Sequence, residues 1–272
     1  MGKELPVFAN GMQGMSTLST DRVAVEVAPP VVQVRLNNPP LNVIDLRMTQ
    51  ELTQVLRDIE SRSDISVILF EGNSRAFSAG VDVKAHLPEQ IGEMLSSFHG
   101  VIRAVVASRK ITVAAVQGVC LGGGAELAAV CDMVYTAHDA TWGFPEIKLG
   151  CYPPVAAVVL PALIGQKRAS ELIFTGRQIS GTEAAAIGLA SRSVKAEELS
   201  TLVQEIVGQL RVLSASALAH AKKSIYAWDA IHFDKGLARA EKIYLEELIN
   251  TEDAREGIAA FLEKRPPKWT GK

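Results

Sequence analysis

Two short, mainly apolar runs constrain the fold most: I-S-V-I-L-F at 65–70 and T-V-A-A-V-Q-G at 112–118. Neither run has a polar face, which is typical of strands buried on both sides of a parallel sheet. A third strand is predicted for D-M-V-Y-T-A at 132–137. Helical patterns at 46–62 and 90–108 separate the first strands. Strands that alternate with helices predict an α/β protein.

The second half of the chain is mostly helical. Beyond a strand at 31–37, the remaining predictions are a short strand near 189–194 and helices at 155–164, 167–175, 181–187, 196–212, 215–229, 234–249 and 252–263. We therefore expect a flexible tail at 1–21, a core at 22–195 and a helical oligomerisation region at 196–272. Apolar faces on the late helices favour an oligomer.

Composition narrows the function classes. The chain has 272 residues, a formal net charge of −2 and 48% hydrophobic residues, which is ordinary for a soluble globular protein. A near-neutral charge argues against a nucleic-acid footprint. No run reaches the roughly 18 apolar residues of a membrane span, and no secretory signal is recognised. The three cysteines and five histidines lack metal-type spacing, so we expect reduced thiols, no metal and a cytoplasmic location.

The stretch V-C-L-G-G-G-A-E-L at 119–127 places three glycines before a lone acid. If a helix begins near 123–125, its first N–H groups have no partner within the helix. Glycine lets a ligand approach them, so the turn can form an anion pocket with Glu126 beside it. The alternative is that the glycines only allow close packing of a strand and a helix. Dinucleotide and P-loop fingerprints are both absent.

Three further segments resolve this choice by resemblance. A-F-S-A-G-V-D-V-K at 76–84, G-F-P-E-I-K-L-G at 143–150 and the ending at 251–269, together with the glycine stretch, resemble the crotonase (enoyl-CoA hydratase/isomerase) superfamily from about residue 22 onward. The resemblance implies the crotonase fold, a spiral of ββα units followed by a helical trimerisation region. It also implies a homotrimer or a dimer of trimers, with an acyl-coenzyme A thioester as substrate rather than a bound cofactor.

The resemblance also implies roles for individual residues. The N–H groups of Val81 and Gly123 would form an oxyanion hole for the thioester oxygen, and Glu126 and Glu146 would be the catalytic carboxylates. Two such acids can share the proton transfers of hydration. The coenzyme A part would be bound around Ser78, Ala79, Asp82, Val83 and Lys84, and by Lys264 of a neighbouring subunit.

The sequence departs from the family pattern after Glu146. Where glycines are usual, this chain has Pro154, Val155, Ala156 and Ala157. Proline stiffens the backbone, so the acyl pocket should be reshaped. The Tyr-Pro-Pro run at 152–154 is similar to that of hydratases acting on cyclic dienoyl-CoA thioesters of aromatic acid degradation.

Retention of both acids favours a hydratase. The alternatives are a double-bond isomerase on the same fold and a non-catalytic acyl-CoA-binding subunit.

Overall fold

The computed structural model describes residues 16–87, 89–226 and 229–271, with the backbone alone for 16–19 and 229–232. The strands are β1 (Ser16–Ser19), β2 (Val23–Ala28), β3 (Val31–Leu36), β4 (Val67–Glu71), β5 (Ala76–Ser78), β6 (Ile111–Val116), β7 (Val119–Leu121), β8 (Met133–Ala137), β9 (Thr141–Gly143), β10 (Gln178–Ser180) and β11 (Arg192–Val194). The helices are α1 (Leu46–Ser61), α2 (Ile91–Ala107), α3 (Gly123–Ala129), α4 (Pro154–Ile164), α5 (Gln166–Thr175), α6 (Gly181–Ala186), α7 (Ala196–Arg211), α8 (Ala215–Tyr226), α9 (Asp229–Lys242) and α10 (Glu252–Leu262).

The strands form two sheets. A large sheet has the order β1-β2-β3-β4-β6-β8-β11, and a small sheet has the order β10-β9-β7-β5. The large sheet is parallel from β3 to β11, and its interior strand β6 is buried at every residue. This burial confirms the prediction from the apolar runs at 65–70 and 112–118.

The chain alternates between the sheets. After each of β4, β6 and β8 in the large sheet, it adds one short strand to the small sheet, namely β5, β7 and β9. Helices α2, α3 and α4 follow these pairs. The predicted α/β arrangement of ββα units is therefore confirmed, and the ends of the short strands lie side by side because β5, β7 and β9 pair in parallel.

The small sheet was not predicted from the sequence. Its strands have only three residues each, too few for a period-two pattern to be recognised. Strand β2 was also missed, although its alternate residues Val23, Val25 and Val27 are fully buried.

The predicted flexible tail at 1–21 needs a correction. Residues Ser16–Ser19 pair with Val27–Ala24 as the antiparallel edge strand β1, so the sheet begins inside the expected tail. Residues 1–15 lie outside the described part of the chain.

The helical region at 196–272 also contributes to the core. Helix α7 packs against β4, β6, β8 and β11 through Leu199, Leu202 and Val203. The predicted single helix at 234–249 is divided instead into α9, a π-helical turn at Ile243–Glu247 and a 3₁₀ turn at Leu248–Asn250. In the described ranges no helix combines the length and apolar character needed to cross a bilayer.

Candidate active site

Glu126 lies in the first turn of α3, directly after the small-sheet strand β7. The glycine turn allows the chain to pass directly from β7 into α3, because Gly122 has φ +49°, a backbone conformation that residues with a side chain rarely adopt. The Glu126 residue is 3% exposed. Its Oε1 accepts a hydrogen bond of 2.9 Å from the N–H of Ala156, in the first turn of α4. A helix N-terminus favours the ionised carboxylate, so the start of α4 stabilises the charge of the buried acid.

Glu146 lies in a 3₁₀ turn, Pro145–Leu149, that follows the next small-sheet strand, β9. The Gly122 N–H donates to the carbonyl of Gly143 at 2.9 Å, which joins this turn to the glycine turn. A Cβ atom on Gly122 would lie 2.6 Å from Oε1 of Glu146. Position 122 must therefore be glycine for a specific reason: the Glu146 carboxylate occupies the space that a side chain at this position would need.

The two carboxylates influence each other. Burial raises the pKa of Glu126 to about 7, against the lowering effect of the Ala156 and Val155 N–H groups. Burial and then the charge of Glu126 raise the pKa of Glu146 well above its ordinary value. The Oε2 of Glu146 is buried without a hydrogen-bond partner among the described residues. Because Glu126 has backbone donors and Glu146 Oε2 has none, we expect Glu126 to ionise first.

Two main-chain N–H groups near this pair, those of Val81 and Gly123, belong to segments that the sequence predicts to bind the thioester oxygen. Val81 forms an isolated parallel bridge with Ile44, in which Ile44 donates to Gly80 at 2.9 Å and accepts from Asp82 at 3.1 Å. That pattern directs the Val81 N–H away from Ile44. The Gly123 N–H is the first of α3 and has no acceptor within the helix. Within the described ranges neither N–H is hydrogen-bonded.

The two segments that carry these N–H groups are in contact. A Cβ on Gly80, whose φ is +98°, would lie 3.4 Å from the nitrogen of Gly123. A Cβ on Gly123 would lie 2.7 Å from Cγ2 of Val81 and 3.1 Å from Cζ of Phe98. Glycine at position 80 thus lets the two main chains approach, whereas at position 123 the side chains of Val81 and Phe98 occupy the space of a Cβ.

Other predicted residues of the 76–84 segment have internal partners. The fully buried Ser78 hydroxyl donates to Asn42 at 2.7 Å and accepts from Gly80 at 3.1 Å. The Ala79 N–H donates to Leu41 at 2.9 Å, and the Asp82 carboxylate accepts from the Lys84 N–H at 3.1 Å. These groups shape the turn around Val81, and the Ser78 hydroxyl and the Ala79 N–H already donate to carbonyl groups within the protein.

The predicted coenzyme A residues Val83, Lys84 and Lys264 lie near the surface. Val83 begins the 3₁₀ turn Val83–His86 and is half-buried, whereas Lys84 is exposed. Lys264 is exposed two residues beyond α10, with φ +55°. Helix α10 contacts the 3₁₀ turn of Val83, but no described contact brings Lys264 itself to the carboxylates.

Sequence reasoning missed three neighbours of the carboxylates. Ala156 supplies the hydrogen bond to Glu126 from 30 positions away. Cys151 donates its N–H to the carbonyl of Glu146 at 3.1 Å and is 1% exposed. Tyr244, also 1% exposed, lies beside the Cys151 thiol. The departure at 154–157 could have suggested Ala156, but Tyr244 had no local signal.

Helix α10 supports the Glu146 turn through glycines. A Cβ on Gly257 would lie 2.3 Å from the carbonyl oxygen of Leu149, and one on Gly150 would lie 2.6 Å from that of Asp253. The C-terminal helix therefore packs with its backbone against the turn that carries Glu146. Among the described residues no group of three or more His, Cys, Asp or Glu side chains could hold a metal ion.

Comparison with known proteins identifies the family of this chain. Residues 26–272 match the enoyl-CoA hydratase/isomerase family. The chain is 35% identical to the cyclohexa-1,5-dienecarbonyl-CoA hydratase of Thauera aromatica over 248 residues, which cover 91% of this chain and 96% of that protein.

Solved structures give the same relationship. An enoyl-CoA hydratase from Bacillus anthracis is 33% identical with a TM-score of 0.73, covering 92% of this chain and all (100%) of that one. An enoyl-CoA hydratase from Mycobacterium avium subsp. paratuberculosis is 25% identical with a TM-score of 0.81, covering 94% and 98%. The chain therefore belongs to the enoyl-CoA hydratase/isomerase family, as an enzyme of the enoyl-CoA hydratase type with the crotonase fold.

Proposed function

We propose that this enzyme adds water to the conjugated double bond of an acyl-CoA thioester through an enolate held by main-chain N–H groups. One observation carries the proposal: buried Glu126 and partly buried Glu146, whose Oε2 is itself buried, lie at the glycine turn. The N–H groups of Gly123 in this turn and of Val81 in the segment packed against it have no acceptor among the described residues. Donors fixed where negative charge develops stabilise the transition state strongly.

The reaction follows from the two ionisation states. Ionised Glu126 orients water and takes its proton as the water oxygen bonds to the β-carbon. The π electrons move toward the thioester oxygen, which Val81 and Gly123 would bind. Glu146, kept protonated by burial and by the charge of Glu126, then donates a proton to the α-carbon. In the reverse direction Glu146 is the base, so it is the principal acid/base at carbon.

The proposal is tested with Glu126→Gln and Glu146→Gln. Each should lower the kcat of hydration by about 100-fold or more, the usual scale for a lost acid or base. Glu51→Gln is a matched control, because Glu51 is also a buried acid, 2% exposed, but hydrogen-bonds Thr20 and Arg22. Substantial hydration by both site variants would overturn the assignment.

For coenzyme A we propose binding along the 76–84 segment. Main-chain atoms around Ala79 and Val83 would contact the adenine and pantetheine parts, with Lys84 and a neighbouring subunit's copy of Lys264 reaching the phosphates. The exposure of both lysines supports this arrangement. Lys84→Ala and Lys264→Ala should raise KM with little change in kcat, and added salt should reduce the difference. An unchanged KM in both would contradict it.

We propose further that the acyl group is a cyclic dienoyl thioester. Two observations support this: the 35% identity to the Thauera aromatica hydratase, and the run at 153–157, which begins α4 with Pro154 and touches Glu126 through Ala156. A pocket wall that proline makes stiff suits the flat ring of such a substrate. A comparison of kcat/KM for crotonyl-CoA and cyclohexa-1,5-diene-1-carbonyl-CoA tests this proposal. A strong preference for crotonyl-CoA would contradict a cyclic acyl group.

We propose a homotrimer or a dimer of trimers in the cytoplasm. Large exposed apolar side chains on or beside the late helices support association, namely Leu213 (53%), Ile225 (70%) and Phe261 (54%). Three buried free cysteines are consistent with a reducing compartment. Light scattering of the purified protein should give three or six times the subunit mass, and a monomer would contradict the proposal.

A further inference from the structure

Three buried side-chain atoms lack a hydrogen-bond partner in the described part of the chain: Nε2 of His99, Oε2 of Glu146 and the hydroxyl of Tyr244. Buried polar atoms are usually satisfied, so each exception needs an explanation. His99 already pairs through its other nitrogen with Glu241 at 2.8 Å. Glu146 and Tyr244 are different, because both residues interact with Cys151.

Cys151 connects the two groups. Its N–H donates to the Glu146 carbonyl at 3.1 Å, and its thiol lies beside the Tyr244 hydroxyl. A thiol is only a weak hydrogen-bonding group, so it leaves the phenol without a strong partner. Burial is the main cause of the raised pKa of Tyr244, and the Glu146 charge adds to it. Tyr244 is therefore neutral at ordinary pH and lies in the electrostatic surroundings of the catalytic acid.

A local irregularity in the helix accompanies this placement. Tyr244 belongs to the π-helical turn Ile243–Glu247, and such turns are rare and frequent at functional sites. Its neighbours Ile243 and Leu245 are 37% and 36% exposed, whereas Tyr244 is 1% exposed. The Tyr152 ring packs on it with centroids 5.4 Å apart, and the Tyr152 hydroxyl donates to the Ala240 carbonyl at 2.5 Å. The phenol is thus fixed against the segment that follows Glu146.

The reactants offer few polar groups that could hydrogen-bond the Tyr244 hydroxyl. A conjugated acyl chain presents C–H groups, and the thioester oxygen already has two main-chain donors in the proposed site. Water is the remaining polar reactant. We propose that the Tyr244 hydroxyl hydrogen-bonds the water that adds to the acyl group and holds it beside the Glu146 carboxylate. This inference rests on the proposed hydratase function and adds a third water-holding group to the two carboxylates.

Tyr244 changes neither the atom nor the proton balance. The water oxygen still bonds to the β-carbon, its proton goes to Glu126, and the α-carbon receives a proton from Glu146. The phenol keeps its own proton throughout. Its contribution is to restrict the water to one position, which increases the rate only for steps that use water.

Tyr244→Phe tests the inference, because it removes one oxygen and keeps the ring. Hydration of crotonyl-CoA should fall about tenfold or more in kcat/KM, the scale of one lost transition-state hydrogen bond. Exchange of the α-proton of butyryl-CoA in D₂O, which needs the enolate and Glu146 but no attacking water, should be unchanged. Tm should change little, because the one interaction of the phenol hydroxyl among the described residues is the weak one with the Cys151 thiol.

Tyr152→Phe is the matched control, since that hydroxyl has a partner within the protein. It should lower Tm and should reduce hydration less than Tyr244→Phe does. Unchanged hydration by Tyr244→Phe, a parallel loss of α-proton exchange, or a lower Tm would each overturn the inference. Failure of the unmodified enzyme to hydrate any acyl-CoA would instead overturn the proposed function itself, so the two failures are distinguishable.

Discussion

Ala156 donates its N–H to Oε1 of Glu126 at 2.9 Å, whereas Oε2 of Glu146 has no donor among the described residues. This difference separates two acids that burial affects alike. Glu126 receives support from the first turn of α4, so its pKa is raised only to about 7. Glu146 is raised well above its ordinary value and keeps its proton. Environments that separate the pKa values of a pair give one base and one acid.

A pH profile should show this division. We expect kcat/KM for hydration to fall on the acid side of about pH 7, because Glu126 must be ionised to take a proton from water. The activity should fall again at higher pH, where Glu146 loses its proton. Measurement with crotonyl-CoA across this range checks both limbs. A flat profile through pH 7 would contradict the role of Glu126.

Stability should respond to pH with a definite sign. The folded-state pKa of Glu126, about 7, lies above the ordinary 4.5, so the folded state binds the proton more tightly. Folding stability from this group is present below about pH 4.5 and is lost as pH rises through 7. The Glu126→Gln variant has no ionisable group at this position, so its stability does not fall for this reason as pH rises. Urea unfolding at low and high pH should therefore show the variant gaining stability relative to the unmodified protein as pH rises; a constant difference would contradict it.

The oxyanion role of Val81 predicts a contrast between two substitutions. Val81→Ala keeps the N–H and should retain most hydration activity. Val81→Pro removes an N–H that has no partner in the described structure, so it breaks no observed hydrogen bond. It should lower kcat by about 100-fold to 1,000-fold, as the loss of one oxyanion donor does. Circular dichroism checks the fold of both, and equal activities would exclude the main-chain role.

The support of the Glu146 turn by α10 predicts an effect at Gly257. A Cβ there would lie 2.3 Å from the Leu149 carbonyl oxygen, so Gly257→Ala should displace the helix or the turn. We expect a loss of about 1–3 kcal/mol in unfolding free energy, typical of overpacking, together with lower kcat. Gly208→Ala in α7 is the control, because no described atom outside its own stretch of the helix lies within 4 Å of its Cβ position. It should stabilise the protein by up to about 1 kcal/mol.

Features of the fold and the site that leave a pattern in a short stretch of sequence were predicted correctly. Apolar runs identified β4, β6 and β8, and the glycine stretch with Glu126 and the turn with Glu146 were recognised by resemblance. Whether the two acids meet could not be derived from either segment, because their meeting depends on the pairing of β7 with β9. Those strands are too short to be recognised.

Partners that come from distant parts of the chain were also missed. The Ala156 N–H reaches Glu126 only because α4 begins at the proline run beside α3. Tyr244 reaches its position through a π-helical turn inside a region whose pattern predicts one continuous helix. Such placements depend on tertiary packing, which leaves no pattern in the local sequence.

The most direct test of the central claim is to follow the reaction of crotonyl-CoA in water enriched in ¹⁸O. If the two carboxylates direct water to the β-carbon, the purified enzyme should place one solvent oxygen in a 3-hydroxyacyl-CoA product, detected by mass spectrometry. Glu126→Gln and Glu146→Gln should both lose this incorporation, while Glu51→Gln should keep it. A product with a shifted double bond and no solvent oxygen would identify an isomerase and contradict the account.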